Sequence, residues 1–179
     1  MKNLILTIWC MLLSFTKKGR GILLEQVIQY GLTKGEISMR EDSTNNVKLY
    51  LTSGPVMGLL SNYTAPIAFA ALTLGRIVFV NKKHFYSLPA YVQEFIYFHE
   101  LGHLELHSSL MNQILIKLNI EPIKKEFEAD KYASDILGKE KAIQALAVIK
   151  DWALTKFDED FDTTEIDLRI LKLRHKYSY

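Results

Sequence analysis

Five consecutive residues, His99-Glu100-Leu101-Gly102-His103, restrict this chain more than any other stretch. Two imidazoles four positions apart share a face only if the backbone between them is helical, and on that face they can grip one metal ion together. The glutamate directly after the first histidine is then placed to reach a water on that ion rather than the ion itself. With five His and twelve Glu among 179 residues, chance gives on the order of 0.01 such pentapeptides in a chain of this composition. The surrounding sequence has to supply the rest of a site.

Ser87 ahead of Pro89 reads as a helix start, and Val92, Phe95, Ile96, His99 and His103 recur at three- or four-residue spacing. The motif therefore lies on the packed face of its helix. A catalytic zinc takes three protein ligands and leaves a fourth position for water, so one more donor is needed. Downstream, in Lys125-Glu126-Phe127-Glu128-Ala129-Asp130, Glu126 and Asp130 share a helix face while Glu128 points roughly opposite. Glu126 is the expected third ligand. Asp130, one turn on, is expected to accept a hydrogen bond from the far nitrogen of a liganding histidine and fix its tautomer. Alone, these acids would read as a solvated face shared with Lys124, Lys125 and Lys131; beside the motif they read as ligand and support.

His107 extends the four-residue spacing, but three donors on one straight helix cannot surround an ion, because the third lies a further ~6 Å along the axis. It is assigned a structural or surface role. His84 and His175 are isolated and read as surface or satisfied histidines, although His175 could approach a cleft in the folded chain.

The length suits a single domain, residues 1–179, with one sizeable core. A formal net charge of +2 with 49% hydrophobic residues lacks the basic excess that would point to nucleic acid as a partner. The single cysteine, Cys10, excludes an intramolecular disulfide and a zinc site built on cysteines. Lys2, the uncharged run Asn3 to Thr16 and Lys17-Lys18-Gly19-Arg20 resemble a signal-peptide core, without a small-residue cleavage site after it. That run is shorter than the ~20 apolar residues of a spanning helix. A cytoplasmic monomer is expected, with membrane association through residues 3–16 as the alternative. The charge-free stretch Leu49 to Gly75 is broken by Gly54, Pro55, Gly58, Asn62 and Pro66 and reads as strands and turns.

Along the chain, residues 1–40 read as helical with breaks at Gly19-Arg20-Gly21 and at Gly31 to Gly35, followed by a polar turn from Glu41 to Asn46. Val47 to Thr52, Ile67 to Leu74 and Arg76 to Val80 read as a small sheet. Besides the motif helix, one helix is expected from Pro122 to Gly138, another from Lys139 to Phe157, and a last from Thr164. The fold class is α+β, with a small twisted sheet followed by a helical C-terminal half.

His99 to His103, then Glu126 and Asp130 as Glu-x-x-x-Asp, then Ala133, resemble the gluzincin metallopeptidases, in particular the group of CAAX prenyl proteases, heat-shock membrane proteases and minigluzincins. The resemblance covers residues 65–173 and implies a zincin-like domain, its sheet packed on the motif helix. Pro66-Ile67-Ala68-Phe69-Ala70 is similar to the family's Asn-Ala-Phe edge strand, so Ala68, Phe69 and Ala70 would pair with an extended peptide substrate; Ile67 stands where the family has asparagine. Ile77 to Val80 with a loop into the motif helix is similar to the next strand, and Ile166 to Leu171 to a C-terminal Glu-Arg-Ile-x-x-Leu segment. The family's oxyanion-stabilising histidine is replaced by Thr163, which leaves Arg169 for that role.

The resemblance implies a zinc endopeptidase with one Zn²⁺ on His99, His103 and Glu126, and with Glu100 as base and then acid. A narrower resemblance, His99 to His107, is to the ImmA/IrrE-type proteases that act on repressors. Two other readings are a non-hydrolytic regulatory protein whose zinc only staples helices, and an enzyme held latent by a terminal arm.

Overall fold

The computed structural model describes residues 28–35, 37–53, 67–71, 76–107, 122–157 and 162–175. The protein is α+β and mostly helical, and its backbone contacts divide it into two compact units, Met1–His84 and Phe85–Tyr179.

In the first unit, residues 28–33 form helix α1. A Cβ on Gly31 would fall 2.5 Å from the Ile37 side chain, so the missing side chain lets α1 close over that residue. The strands are β1 (Ile37–Asp42), β2 (Val47–Thr52), β3 (Ala68–Ala71) and β4 (Ile77–Asn81), arranged in the order β1-β2-β4-β3. β1 runs antiparallel to β2, β2 parallel to β4, and β4 antiparallel to β3 with Val80 opposite Ala68. Ile77 to Val80 are all buried, as an interior strand covered on both faces should be. The Tyr50 and Phe79 rings stack across the β2–β4 pairing, and the Thr52 hydroxyl donates to the Val80 carbonyl at 3.0 Å.

β2 has the expected bounds, β4 is shifted by one residue, and β3 lies inside the segment expected for it. β1 corrects the reading of residues 1–40 as helical and of Glu41 as the start of a turn. Ser38-Met39-Arg40-Glu41-Asp42 contains no β-branched or aromatic residue, so its own propensity does not favour a strand. Pairing with β2 imposes one, and Asp42 fixes the turn by accepting hydrogen bonds from the Thr44 and Asn45 N–H groups at 3.0 and 3.4 Å. The apolar run 3–16 and Cys10 lie outside the described residues, among which no helix is long and apolar enough to cross a membrane.

A loop was expected after β4. Instead the chain forms a short helix, α2 (Lys82–Tyr86), whose first turn is capped by Asn81 Oδ1 accepting from the N–H groups of Lys83 and His84. Helices α3 (Ala90–Leu106), α4 (Pro122–Leu137), α5 (Lys139–Phe157) and α6 (Thr164–Arg174) follow in the second unit, close to the bounds read from sequence. Pro89, not Ser87, occupies the N-cap of α3, and no side chain caps it. Gly138 ends α4 at a φ of +93°, the left-handed conformation that lets α5 start at once in a new direction. α3 packs on α4 and α5, and α6 lies against α4 and α5. Lys150 reaches Asp167 at 2.7 Å, and Lys139 Nζ donates to the Arg174 carbonyl.

Candidate metal centre

α3 buries Val92, Phe95, Ile96, Leu101 and Leu104 together with His99 and Glu100. The imidazoles are on the inner face because their spacing is that of the apolar residues around them. On α4, Glu126, Ala129, Asp130 and Ala133 form one stripe at helical spacing, with both alanines fully buried. Small residues in that stripe bring α4 close enough for its carboxylates to meet the histidines of α3.

His99 Nε2 and His103 Nε2 lie 3.1 Å apart, His99 Nε2 is 3.2 Å from Glu126 Oε2, and His103 Nε2 is 3.3 Å from Glu126 Oε1. Donors bound at ~2.0–2.1 Å around a tetrahedral zinc ion stand about 3.3 Å apart, so the set fits such an ion. This is the one cluster of three metal-ligating side chains among the described residues. The Glu126 side chain is 28% exposed and that of His103 18%, so solvent reaches the donor set. Glu100 is buried directly after His99 in the same helix.

Behind the donors, His99 Nδ1 donates to Asp130 Oδ1 at 2.8 Å. With that proton fixed on Nδ1, Nε2 offers its lone pair to a cation. Arg169 of α6 grips the same carboxylate with two hydrogen bonds of 2.7 Å, Nε to Oδ2 and Nη2 to Oδ1, and its Nη1 lies 3.2 Å from Glu126 Oε2. The guanidinium thus faces both carboxylates, and Thr163 sits at the N-cap of α6.

The charges follow from this packing. Burial opposes the protonated form of His99, but Asp130 and Glu126 outweigh it and raise the imidazole to about 10. Burial opposes ionisation of Glu126 and Asp130 as well. His103, His99 and Arg169 nevertheless hold Glu126 far below the carboxylate range, and Arg169 with His99 lowers Asp130. Without a cation the cluster holds two carboxylates between an imidazolium and a guanidinium. A divalent ion would take the place of the proton on His99 Nε2.

His107 is buried rather than superficial. Its Nε2 is 3.4 Å from the Lys125 carbonyl oxygen and 3.8 Å from Glu128, and its pKa is lowered by burial and by His103. His84 bonds Asn81 in the first unit, and His175 is exposed at the end of α6. Ala68, Phe69 and Ala70 are in β3, at an edge of the sheet. Sequence reasoning missed the pairing of Arg169 with Asp130, whose residues are 39 positions apart; no local spacing announces such a contact. No protein-family model, curated protein or solved structure matches this chain.

Proposed function

We propose that this chain is a zinc-dependent endopeptidase of the gluzincin type, with His99, His103 and Glu126 holding one ion and Glu100 acting on the water that attacks the peptide bond. The observation that carries the reading is the mutual spacing of the three donors, 3.1 to 3.3 Å, contributed by two helices and partly exposed to solvent at His103 and Glu126. Two imidazole nitrogens and a carboxylate suit zinc, although other divalent cations accept the same set. When bound, such an ion supplies Lewis acidity that acidifies water and polarises a carbonyl.

In this reading, Glu100 takes the proton of the attacking water and returns it to the leaving amine. Asp130 keeps the His99 Nε2 lone pair directed at the site, and Arg169 braces Asp130 and Glu126 by the contacts described. The substrate is a peptide or protein in extended form. Ala68, Phe69 and Ala70 lie in β3, an edge strand of its sheet, the kind of element to which an extended peptide can add as a further strand.

Metal analysis of the purified chain, and hydrolysis of a casein-like substrate with and without chelator, test the reading. Glu100→Gln is expected to keep its metal while hydrolysis falls by about 10²–10⁴-fold, the usual contribution of a general base. Undiminished hydrolysis in that variant refutes the mechanism. Stoichiometric metal in a chain that hydrolyses nothing would instead favour a metal-stapled binding protein.

A further inference from the structure

Gly102 stands in the middle of α3, where glycine costs about 1 kcal/mol relative to alanine, so something other than helix formation accounts for it. An ideal Cβ on Gly102 would lie 3.1 Å from Ala129 Cα, 3.1 Å from Tyr132 Cβ and 3.3 Å from the Ala129 carbonyl oxygen. Favourable carbon–carbon contacts begin near 3.5 Å. Two of the three atoms belong to the α4 backbone, so a side chain at 102 could be admitted only by moving α4 itself.

The contact lies in register with the metal donors. On α3 the order is His99, Gly102, His103, and on α4 it is Glu126, Ala129, Asp130; in each helix the small residue comes three positions after one site residue and one before the next. A tight contact of the two helices therefore lies within the turn that carries the donors. A shift of a few tenths of an ångström there passes directly into the 3.2 and 3.3 Å spacings between Glu126 and the histidines. Metal sites tolerate distance errors of only about 0.2 Å.

We propose that Gly102 is a positioning residue of the metal centre: its missing side chain sets the α3–α4 separation at which Glu126 joins His99 and His103 around one cation. The proposal rests on the metal-site reading above.

Zn²⁺ affinity of the full chain, by competition with a chromophoric chelator, and the visible spectrum of the Co²⁺ form are the readouts. For Gly102→Ala, folded by circular dichroism, affinity is expected to drop at least about tenfold, within the range found when residues that orient metal ligands are altered, with a changed Co²⁺ spectrum. Leu146→Ala, at a fully buried position on α5, is the control for stability alone. It should melt earlier yet keep the wild-type affinity and spectrum.

Wild-type binding by Gly102→Ala overturns the proposal, as does a Leu146→Ala variant that loses affinity in the same measure. Should Gly102→Ala not fold, Ala129→Gly perturbs the same contact from α4, whose residue 129 supplies two of the three closest atoms. A changed Co²⁺ spectrum then supports the proposal, and an unchanged one with full affinity overturns it. Failure of the wild-type chain to bind either ion is a separate result, which removes the metal-site reading itself.

Discussion

Glu126 and Glu128 are two residues apart on one helix, and their environments divide them. Glu126 meets both Nε2 atoms of the motif histidines within 3.3 Å, whereas Glu128, among the described residues, approaches His107 at 3.8 Å. Glu126→Ala should therefore weaken metal binding by more than the 10–100-fold that follows loss of a residue behind a ligand, while Glu128→Ala leaves it unchanged. Chelator competition on both variants measures this, and equal losses would reopen the choice of third ligand. The placement of Glu126 and Asp130 was legible because a helix converts a four-residue spacing into a shared face. The burial of His107 was not, since the same spacing that carries it one turn past His103 fits an exposed residue equally well. Only its contacts with Lys125 and Glu128 tell them apart.

Between elements, the decisive contact is that of α6 with α4, where the Arg169 guanidinium spans Asp130 and reaches Glu126. Arg169→Lys keeps the charge but replaces a planar fork by a point donor, so it cannot hold both carboxylate oxygens in the same geometry. If Arg169 braces the ligands, this variant should bind metal about 10-fold more weakly or worse, with turnover per bound metal little changed. If it instead stabilises a developing oxyanion, affinity should survive and turnover per bound metal should fall. Titrating metal into an activity assay separates the two. The helices were readable from sequence because Pro122 and Gly138 punctuate an apolar periodicity of 3.6 residues. β1 and α2 were not, because their conformations come from a partner strand and from the Asn81 cap rather than from their own composition.

For the molecule as a whole, the cluster couples folding to protons and, in the proposed reading, to metal. Asp130 is held below its ordinary value of 3.8, so its stabilisation is present above that pH and is lost as acid protonates the folded state. His99 is raised from 6.5 to about 10, so its share is complete below pH 6.5 and disappears as pH climbs toward 10. Without metal, these two groups together give greatest stability between about pH 4 and 6.5, with a decline on the alkaline side. A bound cation reverses that limb, because it needs the unprotonated imidazole and takes over the proton's place between the carboxylates. The rise in melting temperature on adding Zn²⁺, relative to chelator, should therefore be larger at pH 8 than at pH 6, with the stabilisation growing by up to about 1.4 kcal/mol per pH unit for one displaced proton. Thermal melts at the two pH values measure it. Equal rises at both would mean that no proton leaves His99 on binding, and that the ion is held by groups other than the pair of imidazoles on α3.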